Sequence, residues 1–245
     1  MASIGHEESG AARPARVRGW VADAAATLGV AVSQRILCEE AACRLGVSGV
    51  VLTVPVPASW PEPRQATDRL GLRLAELEVT VGEGPCLAAT EKGGPVLAGD
   101  LAALGCQHRW PAFAPLAIEA GARGLFALPM CVGSVSLGVL ALYRRAPGML
   151  DPVALRNALA FAGLARDMLL DEQAGLPGTG DPELPPHSAP VHQATGMIAA
   201  RLNLGMAEAL ALLRARAFAG DRSLVDLAGD VVAGRLRSDL TGEPP

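Results

Sequence analysis

Arg123-Gly-Leu-Phe-Ala-Leu-Pro-Met-Cys-Val-Gly-Ser-Val-Ser-Leu-Gly-Val-Leu-Ala-Leu-Tyr143 is the stretch that decides the fold class. Two apolar runs, Leu125–Cys131 and Val135–Leu142, flank Val132-Gly133-Ser134, which has the chemistry of a hairpin turn. Pro129 has no N–H to give to a ladder, so it belongs at an edge or a bulge of the first strand. Upstream, Pro95–Ala98 and the β-branched run Gly49–Val54 read as further short strands. Asp68–Leu77 reads as a helix capped at Thr67 or Asp68, with Leu70, Leu74 and Leu77 on one face. Val56–Pro63 is proline-rich and reads as a loop, and Trp110–Gly121 as a loop with one short helix. Pro85 suits the first turn of a short helix running to Thr90. Val17–Leu45 is helical in period and interrupted at Gly29 and Ser33, which predicts two helices, with Gly46 placed as a C-cap. Downstream, Asp151-Pro152 is an N-cap followed by proline at the first helical position, opening a long helix to Leu170. The order of helix, strand, helix, strand, helix, hairpin and helix predicts an α+β domain around an antiparallel sheet flanked by helices.

Outside that domain the pattern changes. Residues 1–14 are polar and without periodicity, which predicts disorder. The α+β domain is assigned to 15–172, and residues 173–190, with five prolines and three glycines, read as a linker. Residues 191–238 form a small all-α unit of three helices, with 239–245 as a tail. The first helix (Val191–Leu204) puts Val191, Ala194, Ile198 and Leu202 on one face and ends at Gly205. The second (Met206–Ala219) turns Ala209, Leu210, Leu213 and Ala217 inward. The third starts at Ser223, whose hydroxyl is placed to cap it, and buries Leu224, Leu227, Ala228, Val231, Val232 and Leu236.

Composition narrows the function classes. Apolar residues make up 50% of the 245, enough for a core, but no run reaches the ~18 needed to span a bilayer. The amino-terminal stretch has no apolar secretory core, so the expected location is the cytoplasm. The net charge of −4 is wrong for a general polyanion binder, and any nucleic-acid contact must come from local charge. Lys92 is the sole lysine, so arginine carries the positive charge. Five scattered cysteines (Cys38, Cys43, Cys86, Cys106, Cys131), an odd number with no C-x-x-C, point to free thiols rather than a disulfide framework or a zinc site. His108 and His192 lack metal-ligand spacing, and Gly82-Glu-Gly84 lacks the lysine and spacing of a phosphate-binding loop. No metal, no cofactor and no catalytic residue set is expected.

Three segments carry a family resemblance. Gln193-Ala-Thr-Gly-Met-Ile198, Glu208-Ala-Leu-Ala-Leu-Leu-Arg214, and Leu224-Val-Asp-Leu-Ala228 with Val231-Val232 resemble the ANTAR domain. This is the RNA-binding module of bacterial transcription antiterminators. The resemblance implies that residues 191–238 bind paired stem-loops in transcript leaders; charge alone does not point there, since from Val191 onward six arginines balance six acids. The residues expected to face RNA are Gln193, Thr195, Gly196, Arg201, Arg214, Arg216 and Arg222. Gly196 sits mid-helix, at a cost of about 1 kcal/mol relative to alanine, which suggests a close approach of another helix or of RNA. Many family members carry lysine where this chain has Thr195, and the change removes a phosphate-seeking charge. The competing assignment is a helical bundle that docks a protein partner.

Gly82-Glu-Gly-Pro-Cys86, Gly99-Asp-Leu101, Trp110-Pro111 and Leu140-Ala-Leu-Tyr-Arg144 resemble a GAF domain of the kind that precedes ANTAR in actinobacterial regulators. That resemblance implies a sensor, a small-molecule signal of unknown identity, and a homodimer. Cys86 would lie in the first turn of the helix opened by Pro85, where the helix dipole lowers a thiol pKa. Two readings stand at this level, a redox-sensing thiol and a buried structural cysteine. A third, a cysteine-dependent methionine sulfoxide reductase, requires a resolving thiol such as Cys106 or Cys131. The leading expectation is a signal-responsive antitermination regulator and not an enzyme.

Overall fold

The computed structural model describes residues 12–56, 61–175, 189–220 and 222–235. Helices α1 (Ala12–Leu28) and α2 (Gln34–Leu45) lead into strand β1 (Gly49–Val54). Ser33 caps α2 by accepting from the Ile36 N–H, and Gly46 ends it at a left-handed φ of +58°. The two-helix expectation holds, but α1 begins at Ala12, so residues 12–14 are helical rather than disordered. The rest of that expected segment lies outside the described residues.

Strand β2 (Glu62–Ala66) follows, in a stretch whose beginning reads as loop in the sequence. It pairs antiparallel with β1, with a register shift opposite Leu52 and Thr53, close to Pro63. An edge position and an irregular ladder are what a proline-containing strand requires. Helix α3 (Arg69–Val81) is capped by Asp68, whose Oδ1 accepts from the Gly71 N–H, and it runs four residues beyond Leu77. Then come α4 (Pro85–Lys92), β3 (Val96–Ala98), α5 (Leu104–Arg109) and α6 (Phe113–Glu119). Of these, α5 has no clear signal in the sequence. The hairpin β4 (Gly124–Val132) and β5 (Val135–Arg144) turns at Gly133-Ser134, and its ladder shifts between Pro129 and Cys131, the irregularity Pro129 demands. Helix α7 (Pro152–Gln173) starts at Asp151, whose Oδ1 accepts from the Val153 and Ala154 N–H groups.

Among the described residues the sheet has five antiparallel strands in the order β2-β1-β5-β4-β3. Alternate residues serve two cores. Val50, Leu52, Phe126, Leu128, Met130, Leu140 and Leu142 pack beneath α1, α2 and α7. Leu125, Ala127, Val139 and Tyr143 pack beneath α3, α4 and α6. Burial on both faces is why the hairpin reads as unbroken apolar runs instead of a polar–apolar alternation.

The C-terminal unit is α8 (Ala189–Leu202), α9 (Met206–Ala219) and α10 (Leu224–Val232). Val191, Ala194, Ile198, Ala209, Leu213, Ala217, Leu224, Leu227, Ala228 and Val231 form its core. Three local expectations need correction. Gly205 does not end α8. Asn203 does, at φ +52°, with the Leu204 N–H donating to the Ala199 carbonyl. Asparagine tolerates that conformation better than other side-chain-bearing residues. Gly205 instead precedes α9, its N–H donating to the Glu208 carboxylate at 2.9 Å. The Ser223 hydroxyl makes no cap bond, and its backbone carbonyl accepts from Leu227. Val232 is exposed at the helix end rather than buried. Leu236 lies outside the described residues, as do 176–188 of the expected linker.

Candidate nucleic-acid interface and sensor cavity

The sequence Val81-Gly-Glu-Gly-Pro-Cys86 is a junction at which each residue has a separate task. Gly82 closes α3 in the left-handed region, φ +76°, with its N–H donating to the Glu78 carbonyl at 2.8 Å. Glu83 accepts from the Ala112 and Phe113 N–H groups and so caps α6. Gly84 has φ +152° and leaves no room for a Cβ, which would overlap the Glu78 side chain. Pro85 opens α4, as expected.

Glu78 was not singled out by the sequence, and it is the central polar group here. Its side chain is 3% exposed. The carboxylate accepts from the Cys86 N–H at 2.9 Å and the Leu87 N–H at 3.0 Å, the first donors of α4. Burial pushes its pKa up to about 7, against the opposing pull of its hydrogen bonds from the Cys86 thiol and these two amides. A signal existed in the sequence: Glu78 lies four residues after Leu74 and next to Leu77, on the apolar face of α3.

Glu78 and Cys86 line a small cavity between α3, α4 and the sheet, walled by Val51, Leu74, Leu125 and Tyr143. Its free space matches about one water molecule. Tyr143 donates its hydroxyl to Asp68, and burial foremost drives its pKa well up. The Cys86 thiol is likewise pushed well above the usual thiol range, by burial first and then by the Glu78 charge. This is opposite to the helix-dipole expectation for Cys86, because burial outweighs the dipole and Glu78 already occupies the α4 N-terminus. The environment therefore suppresses the thiolate that redox sensing or reductase chemistry needs. Neither Cys106 nor Cys131 lines the cavity.

The residues expected to face RNA are distributed unequally. On α8, Gln193 and Arg201 are exposed on the side opposite the core, with Met197 between them. Thr195 is 4% exposed, and its hydroxyl donates to the Val191 carbonyl at 2.7 Å. It is a core residue and not the outward polar contact expected of it, because helical spacing from Val191 turns it inward. A Cβ at Gly196 would meet nothing within 4 Å, so no neighbouring helix approaches there. Arg222 pairs with Asp230, which also takes Arg235 at 2.6 Å. Arg216 is half-buried on α9. Arg214 turns toward the α+β domain, where its Nε donates to the Thr80 carbonyl at 3.0 Å.

The α+β domain, with its small carboxyl-bearing cavity, is followed by the three-helix unit. Residues 187–232, which span the helical unit, match the ANTAR domain family. No curated protein matches the chain. Among solved structures, the chain is similar to the GAF domain of an Acinetobacter phosphoenolpyruvate-protein phosphotransferase, at 10% identity and a TM-score of 0.49, covering 68% of this chain and 96% of that one. It is similar to the GAF domain of the Coxiella burnetii phosphoenolpyruvate-protein phosphotransferase, at 11% identity and a TM-score of 0.49, covering 66% and 97%. It is also similar to the GAF-B domain of DevS from Mycobacterium smegmatis, at 13% identity and a TM-score of 0.42, covering 58% and 93%.

Proposed function

We propose that this protein is a signal-responsive transcription antitermination regulator. Its ANTAR domain binds hairpins in nascent RNA, and the α+β domain acts as a GAF-like sensor that controls that binding as a cytoplasmic homodimer. The observation that carries the reading is the ANTAR match over 187–232. It is supported by a three-helix core that leaves Gln193 and Arg201 on the outer face of α8. Arg201 and Gln193 suit phosphate and base-edge contacts, and Arg214, Arg216 and Arg222 of the neighbouring helices are the further candidates. The Glu78 carboxyl, whose charge changes near neutral pH, is the proposed point at which the signal acts on the α+β domain.

The test is binding of the full chain to an RNA carrying two hairpins, against a scrambled control, at two salt concentrations. Preferential binding that weakens as salt rises is expected, and Arg201→Ala should both weaken it and flatten the salt slope by about one. Equal binding to the scrambled RNA would reject sequence- or shape-directed recognition and favour a helical unit that docks protein.

A further inference from the structure

Arg214 is an arginine expected to face RNA, and the structure places it elsewhere. The last carbonyls of a helix have no intrahelical donor and carry the negative end of its dipole. The Thr80 carbonyl is in the last turn of α3 and receives the Arg214 Nε–H at 3.0 Å. The guanidinium then fills the space beside Gly82, where any Cβ would overlap it. Burial lowers the pKa of Arg214, so its charge has given up water for this contact. Val79, one residue before Thr80, packs on the apolar core of the helical unit. Two different features of α3, an apolar side chain and a carbonyl end, thus hold α9.

We infer that the carboxyl-terminal turn of α3 is a latch seat for the ANTAR domain, occupied by Arg214, and that RNA and this seat compete for the same guanidinium. The inference rests on the RNA-binding reading for its second half only. The seat is stereochemically specific because its floor is Gly82, a residue with no side chain in the conformation that ends the helix. It is also one hydrogen bond from the cavity. The Glu78 carbonyl accepts the Gly82 N–H, while the Glu78 carboxyl lines the cavity. A ligand that shifts Glu78 acts on the seat through a single helical turn. Arg201 and Gln193, on α8, are not part of the seat, so a latched chain retains weak RNA contact and an unlatched one gains Arg214.

Gly82→Asn is the direct test. Asparagine accepts the left-handed cap conformation, and its side chain must displace the guanidinium. Val79→Ala is the milder second variant, which loosens the apolar half of the seat without touching any arginine. In the full chain, hydrogen exchange of the α9 amides and of the last turn of α3 should rise in both variants, with β1, β4 and β5 unchanged. Unchanged exchange at α9 in both would overturn the latch. With the two-hairpin RNA, both variants should bind on the order of tenfold tighter than the parent, because a larger share of molecules is competent. Faster exchange with RNA affinity equal to the parent would overturn the competition. Faster exchange with no RNA binding by any form would leave the latch supported and reject the RNA reading on which the competition depends.

Discussion

Glu78 titrates near 7 because its burial outweighs three hydrogen bonds that favour its charge. Between its ordinary value of 4.5 and 7, the folded chain keeps a proton that the unfolded chain has released. Stability from this group is therefore full below about pH 4.5 and falls as pH rises through 7, by about 3 kcal/mol in all. Chemical denaturation at about pH 5 and about pH 7.5 should show this decline in the parent, and Glu78→Gln should reduce it. An undiminished slope in the variant would assign the effect to other groups. Cys86 illustrates what a sequence leaves out at this scale. Pro85 fixes the helix start, so the position of the thiol in the first turn was legible. The carboxylate that takes the helix donors comes from eight residues upstream and was not.

Secondary elements were most legible where one short stretch supplies its own start or stop. Asp151-Pro152, Gly46 and Gly133-Ser134 each act on backbone groups within a few residues, and each is where the sequence places it. Strand β2 was missed because its pairing partner, not its own residues, makes it a strand. Asn203 was missed because Gly205 offered a stronger local stop. The long-range demands on single glycines are also invisible in sequence, and β5 has the sharpest of them. Gly138 has φ +143°, and a Cβ there would overlap the Thr53 carbonyl oxygen across the ladder. Gly138→Ala should lower stability by about 3 kcal/mol, combining backbone strain with overpacking in the middle of the sheet. A urea midpoint within error of the parent, at equal slope, would show that the β1–β5 pairing relaxes around a methyl group.

At the scale of the molecule, the two units are unequal. The sheet divides two extensive cores, whereas the C-terminal helical unit closes on ten small or medium apolar side chains. So small a core is near the limit of independent stability. Native-state hydrogen exchange should release α8–α10 before β1, β4 and β5, and Arg214→Ala should widen the gap by removing one tie to α3. Simultaneous release of all these elements would mean that the units unfold as one. The existence of each unit was legible from the change in pattern near residue 173. Their contact was not, since nothing local to Arg214 distinguishes an arginine aimed at phosphate from one that caps a helix of the other domain.

The sole lysine of the chain, Lys92, is exposed in the last turn of α4, six residues after Cys86. An amine-reactive fluorophore therefore finds a single side-chain target in this sequence. That side chain rides on the helix whose first amides bind Glu78. A conjugate at Lys92 turns the protein into an optical reporter of its own cavity, readable without RNA and before any signal is identified.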